Sequence, residues 1–336
     1  MVQRSNEIVS ECLLPTEFGS HCVHVDTTNF SLTGEYESDF NVGEIGITYG
    51  YPKDGRWDLK RFVLVTASNQ HGVPLFLQTF SGNESDKETI RSIVNALTDN
   101  LKSKEKVYHV ADSAFYTAEN LQSVREHTFW ITRVPATISD VTDLEFTPCK
   151  DERYSRFECP AEYAGIKQKW VVYHSALMQE RQEKTFDTNL EKDLGKVRKS
   201  VKQICSPEYA CEPDARAAAE RWLKKNPRYR FHNCEIMPVR RKPGKCRGRP
   251  KTDDPLEISY HPSASVVFND DAVANERRKL GRFVLATNDL DLSPDTLLMY
   301  YKGQSAVERG FRFLKDKSFQ VAEIFLKKNS GFRRWQ

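Results

Sequence analysis

Apolar residues follow two rhythms along this chain. His21 to Ser31 (HCVHVDTTNFS) alternates, with Val23 and Val25 on one face and His24 and Asp26 on the other, as in a half-buried strand. Gly43 to Tyr51 alternates through Ile45, Ile47 and Tyr49 and predicts a second strand. Phe62 to Ala67 and Pro74 to Phe80 flank Asn69-Gln70-His71-Gly72, a hairpin signal. Together these strands predict an antiparallel meander. Ser85 followed by Glu88 resembles a capping box, and Ile90, Ile93, Val94 and Leu97 continue at helical spacing, so Asp86 is read as a helix-starting residue. Val107 to Ala111 is a short apolar strand closed by Asp112, Thr117 to His127 a helix, and Phe129 to Val134 a further strand.

From residue 136 the pattern changes. Phe186, Leu190, Leu194, Val197, Val201 and Ile204 recur at steps of three and four inside a charged helix, with a shorter partner helix over Ala217 to Leu223. Strands are expected at Lys169 to Tyr173, Tyr229 to Pro238 and Leu256 to Phe268. Residues 136–280 therefore read as an α+β subdomain inserted into a core formed by 1–135 and 281–328, with an irregular tail over 329–336. The core resumes with the apolar strand Phe283 to Thr287 and a helix start at Ser293-Pro294.

Tyr300 to Lys317 (YYKGQSAVERGFRFLKDK) is predicted as one amphipathic helix. At 3.6 residues per turn, Tyr301, Gln304, Glu308 and Lys315 share roughly one sixth of the circle. Ala306, Val307, Gly310, Phe311, Phe313 and Leu314 fill an apolar arc. Such a polar stripe suits a metal-bound phosphate: the carboxylate takes the cation, while the ammonium and the phenol meet phosphate oxygens.

Composition narrows the classes. The 336 residues are 39% hydrophobic and 29% charged, as in a globular protein with ample core material. Fifty Lys and Arg against 47 Asp and Glu leave net charge uninformative, but Arg240 to Lys251 (RRKPGKCRGRPK) holds seven basic residues and no acid. This loop is a candidate for phosphate contact, and Arg247-Gly248-Arg249-Pro250 matches a minor-groove hook core. No run is long enough to cross a bilayer, and the first 14 residues are too polar for a signal peptide, so a cytoplasmic protein is expected, nucleoid-associated when bound to DNA. The eight cysteines form no CxxC pair and are read as reduced thiols. Cys205, Cys211, Cys234 and His232 fit no zinc-ligand spacing.

Three acids stand out by position: Asp26 on the first strand, Asp112 at a strand end, and Glu308 on the late helix. If the strands are adjacent and the helix crosses their ends, three hard carboxylates meet, a donor set suited to Mg²⁺ or Mn²⁺. The blocks YPKDGRWDLKRFVL, FSGNESDKETI, VADSAFYTAENL and YYKGQSAVERGFRFLKD resemble those of bacterial insertion-sequence DDE transposases. The resembled subgroup places Tyr, Arg, Glu and Lys at the steps occupied here by Tyr301, Gln304, Glu308 and Lys315.

The resemblance implies an RNase H-like, mixed five-stranded α/β sheet interrupted before the last-acid helix. It implies Asp26, Asp112 and Glu308 as catalytic and metal-binding acids, with two Mg²⁺ or Mn²⁺ ions. Tyr301, Gln304 and Lys315 would be DNA-phosphate contacts, Gln304 lacking the charge and fork of the family's Arg. Double-stranded DNA at the element's ends and target is the implied partner, contacted from the insertion by Arg240, Arg241, Arg247 and Arg249, with self-association on DNA and no membrane. A chain truncated at both ends is expected. The rival readings are a catalytically incompetent DNA-binding remnant and a stand-alone nuclease of the same fold.

Overall fold

The computed structural model describes residues 21–34, 36, 45–100, 106–124, 127–136, 144–241 and 257–314. Strand β1 (Cys22–Leu32) lies in the interior of the sheet, with Val23 and Val25 fully buried. It pairs antiparallel with β2 (Lys60–Asn69), from Val23 opposite Asn69 to Leu32 opposite Lys60, and β2 turns into β3 (Pro74–Ser81). The turn is held by the Asn69 side chain, whose Oδ1 accepts the N–H groups of His71 and Val73, each at 3.0 Å. Gly72 there adopts φ +81°, a left-handed conformation that favours glycine.

Residues 45–51 do not add a ladder strand, despite their alternation. They touch β2 through a single bridge between Thr48 and Arg61. The reason is a contact remote in sequence: the Gly82 N–H, just past β3, donates to the Gly46 carbonyl at 3.0 Å, and the lack of a Cβ at Gly50 lets the segment lie directly on Gly82. The meander is therefore β1–β2–β3.

Helix α1 (Asp86–Asn100) begins as expected. The Ser85 hydroxyl donates to Glu88 at 3.2 Å and accepts the Glu88 N–H at 3.3 Å, and Ile90, Ile93, Val94 and Leu97 are buried. Strand β4 (Tyr108–Ala111), helix α2 (Ala118–Ser123) and strand β5 (Phe129–Arg133) follow. The strands β6 (Thr147–Pro148), β7 (Ser155–Tyr163) and β8 (Ile166–His174) come next, β7 pairing with β8 along its full length.

Residues 175–282, with 141–143, make a separate unit. In it, α3 (Ala176–Cys205) and α4 (Glu212–Lys225) bury Val197, Val201 and Trp222 against the two-stranded ribbon of β9 (Tyr229–Arg241) and β10 (Glu257–Phe268). Trp222 stacks on Phe231 with ring centres 5.4 Å apart, and α5 (Asp270–Arg278) closes the unit. The basic loop beyond Arg241 lies outside the described residues.

The first unit, residues 1–140, 144–174 and 283–336, resumes with β11 (Arg282–Thr287), then α6 (Pro294–Gly303) and α7 (Ser305–Leu314). The sheet order is β3-β2-β1-β4-β5-β11-β8-β7-β6. Its first five strands have the RNase H-like arrangement, with β1, β4 and β5 parallel and β2 reversed.

Two features differ from the sequence reading. Among the described residues the sheet has nine strands rather than five, and residues 144–174 belong to the core unit instead of opening the insertion at 136. The cause is burial: Cys149, Val171 and Tyr173 share one apolar cluster with Leu285, Leu292 and Leu297, so β6 to β8 have their core partners in the main sheet.

Candidate active site

Asp26 and Asp112 arrive by strand register. β1 and β4 run parallel with Val23 beside His109 and His24 beside Val110, and two further residues bring Asp26 level with Asp112. Asp112 sits just past the end of β4, in a turn where its Oδ1 accepts the Ala114 N–H at 3.0 Å. Its carbonyl accepts the Thr132 hydroxyl of β5 at 2.7 Å. Asp26 accepts the Thr27 N–H at 2.7 Å. Both side chains are half-buried and held by backbone.

Glu308 arrives by helix packing. Val307 and Phe311, one turn apart on α7, enter a cluster with Phe30, Leu32, Phe62 and Leu64 from β1 and β2. That leaves the exposed Glu308, next to Val307, near the β1 acid. Burial is the largest cause of the rise in the Asp26 pKa, to about 6. The negative charges of Asp112 and Glu308 push the same way, while the Thr27 N–H and the Lys53 ammonium oppose them. Lys53 is fixed by hydrogen bonds to the Thr27 carbonyl at 3.0 Å and hydroxyl at 2.8 Å.

Tyr301 is the fourth member. Its hydroxyl pKa is raised, chiefly by burial; Asp112 and Glu308 raise it further, and the nearby Arg133 cation lowers it. Asp26, Asp112, Glu308 and Tyr301 are thus brought into one electrostatic neighbourhood.

The remaining expectations fare differently. The stretch from Tyr300 is two helices, not one: α6 ends at Gly303, and the Gln304 N–H turns back to the Tyr301 carbonyl at 3.2 Å. Gln304 is buried at 8% exposure, and its carbonyl accepts the N–H groups of Val307 and Glu308. Lys315, Arg247 and Arg249 lie outside the described residues. Arg240 and Arg241 are exposed at the end of β9, in the other unit, and Arg241 is ion-paired with Glu208. Sequence reasoning missed Arg133 and Lys53. Arg133 is the last residue of a strand recognised by its apolar pattern, and nothing local marks it.

The helix break has a cause. A Cβ at Gly303 would lie 2.6 Å from His24 Nε2 and 2.8 Å from its Cε1. His24 is fully buried, and burial drops its pKa to about 4, so it is a neutral, immovable ring at pH 7. Gly303→Ala is expected to cost about 1–3 kcal/mol by overpacking. It would also displace the helix junction between Tyr301 and Glu308. Thermal unfolding should show the lower Tm, and a wild-type Tm would mean that the junction is looser than described.

A family model described as "Transposase DDE domain" matches residues 18–335. The chain belongs to that transposase family. No curated protein sequence matches it. Among solved structures, the Mos1 transposase paired-end complex with the left transposon end is 14% identical, covering 36% of this chain and 37% of that one, with a TM-score of 0.21. The Mos1 strand transfer complex is 17% identical over 36% of each, with a TM-score of 0.20. This transposase-family chain thus spans little more than a third of the length of those structures, and so distant a likeness adds nothing to the topology above.

DDE transposases use divalent metal ions. The acids of this transposase-family chain have the right chemistry for one: hard carboxylate oxygens, two of them level on adjacent strands, whose mutual repulsion a divalent cation relieves. Among the described residues no group of three or more His, Cys, Asp or Glu is closed tightly enough to hold an ion by itself. Glu308 is exposed on its helix.

Proposed function

We propose that the chain cleaves DNA at the ends of a mobile element and joins the freed 3′ ends to target DNA, with Mg²⁺ or Mn²⁺ held by Asp26, Asp112 and Glu308. One observation carries the reading: Asp26 and Asp112 are level on neighbouring parallel strands, while α7 brings the charge of Glu308 to bear on both Asp26 and the Tyr301 hydroxyl. Two such cations, when bound, activate the attacking oxygen and stabilise the leaving one. The residues contribute position. The Thr27 and Ala114 N–H groups orient the two aspartates, and the Tyr301 hydroxyl is assigned as a donor to a phosphate oxygen.

In the first step the oxygen of water attacks phosphorus and the bond to the 3′ oxygen breaks, leaving a 3′-hydroxyl and a 5′-phosphate. In the second step that 3′-hydroxyl attacks a target phosphodiester, forming one phosphorus–oxygen bond as another breaks. Bond count is conserved, so no nucleotide cofactor is needed. Gln304 and Lys315 are assigned to the same DNA phosphate region, and Arg240, Arg241, Arg247 and Arg249 to the DNA backbone. Bringing two ends together calls for self-association on DNA.

The test is a labelled duplex carrying the inverted repeat that flanks the reading frame. Mg²⁺-dependent nicks with 3′-hydroxyl ends, followed by strands joined to target, are expected, and excess EDTA should remove both. Nicking with no joined product would instead favour the stand-alone nuclease. Binding that survives EDTA, with no cut of any end, would favour the non-catalytic remnant.

A further inference from the structure

The parallel register that aligns the acids extends one strand further. β4 and β5 pair with Val110 beside Ile131 and Ala111 beside Thr132, so the next step sets Arg133 level with Asp112. Across β1, β4 and β5 the parallel register therefore sets Asp26, Asp112 and Arg133 in one row, Asp26 within its strand and the other two at the ends of theirs. Arg133 is exposed, and among the described residues no carboxylate lies within ion-pair distance of it. Its guanidinium lies over the Phe283 ring, 5.9 Å from the centroid, and its charge is felt at the Tyr301 hydroxyl. Phe283 is itself stacked between Tyr173 and Tyr301, at 5.3 and 6.4 Å. A long cationic side chain thus lies against an aromatic stack, at the edge of an acidic site, with no ion-paired acid among the described residues.

We propose that Arg133 is a substrate-contacting residue: its planar fork grips the two non-bridging oxygens of a single DNA phosphate adjoining the one that is cut, with the Phe283 ring beneath it as support. Arginine suits this role because its donors match a phosphate bidentately and it stacks on rings. The row itself argues for substrate as the occupant. Carboxylates repel a phosphodiester, and a cation at the end of their row supplies attraction where the strand enters or leaves. The buried Gln304 offers no charge for this purpose. The assignment rests on the DNA-cutting reading above.

The experiment is a cycle between protein and DNA. Wild type, Arg133→Ala and Arg133→Lys are compared on element-end duplexes, each carrying one uncharged methylphosphonate at successive positions around the cut. Two readouts are taken: single-turnover nicking in Mg²⁺, and equilibrium binding in Ca²⁺. Arg133→Ala is expected to lose about 30-fold in one or both, with Arg133→Lys recovering part of it and Tm unchanged. At one methylphosphonate position the penalties of DNA and protein should fail to add, because both remove the same contact. Penalties that add at every position, or an Arg133→Ala protein within about twofold of wild type in both readouts, would overturn the proposal. The binding readout needs no cleavage, so it judges Arg133 even if wild type cuts nothing, and that separate result would count against the DNA-cutting reading.

Discussion

Replacing any one of the three acids by its amide should reduce Mg²⁺-dependent nicking by about 10³-fold or more, since each ligand helps place a cation worth several kcal/mol in the transition state. The amides are chosen to leave the backbone contacts intact. Asn at 112 still accepts the Ala114 N–H, and Asn at 26 still accepts that of Thr27. Stability should move the other way at one position. Burial, Asp112 and Glu308 raise the folded pKa of Asp26 above the ordinary carboxylate value, so in the folded state the ionised form is disfavoured. The penalty is absent below pH 3.8 and fully developed above about 6. At pH 7 without metal, Asp26→Asn should therefore unfold at a higher Tm than wild type while failing to nick. A dead variant with a lower Tm would mean that Asp26 serves the fold.

The second large effect lies away from the chemistry. A Cβ on Gly82 would stand 2.1 Å from the Arg61 carbonyl oxygen and 2.7 Å from that of Thr48; one on Gly50 would stand 1.8 Å from the Gly82 oxygen. These obstacles are backbone atoms of β2 and of the segment laid on it, so no rotamer change relieves them. Gly82→Ala or Gly50→Ala is expected to cost about 4 kcal/mol or more, enough to leave little folded protein. Gly195, mid-way along α3, has nothing within 4 Å of its added Cβ. Gly195→Ala should stabilise by roughly 0.5–1 kcal/mol through helix propensity. Urea denaturation of the variants checks both signs, and a Gly82→Ala protein as stable as wild type would refute the close approach.

That contrast shows what the sequence could reveal. The Asn69–Gly72 turn, the Ser85 cap, the Ser293-Pro294 start and the two aspartates at strand positions are local signals, and local chemistry produced them. The alternation over Gly43 to Tyr51 was equally clear and did not yield a strand, because two glycines serve a contact with Gly82 that is remote in sequence. The helix from Tyr300 breaks at Gln304 because Gly303 meets His24, far back on β1. Residues 147–174 join the main sheet because their apolar side chains match a cluster assembled from β11 and α6. Arg133 became visible only once β5 was known to run parallel to β4, since register is a property of the pair.

The central claim is that acids at 26, 112 and 308 face one cation. With Fe²⁺ in place of Mg²⁺, ascorbate and peroxide generate hydroxyl radicals at the bound ion, and the polypeptide is cut where it passes closest. Mass spectrometry should find cuts beside all three positions together, suppressed by excess Mg²⁺ and lost from all three in Asp112→Asn. Cuts confined to the neighbourhood of one acid, or a pattern unchanged by Asp112→Asn, would contradict the shared site.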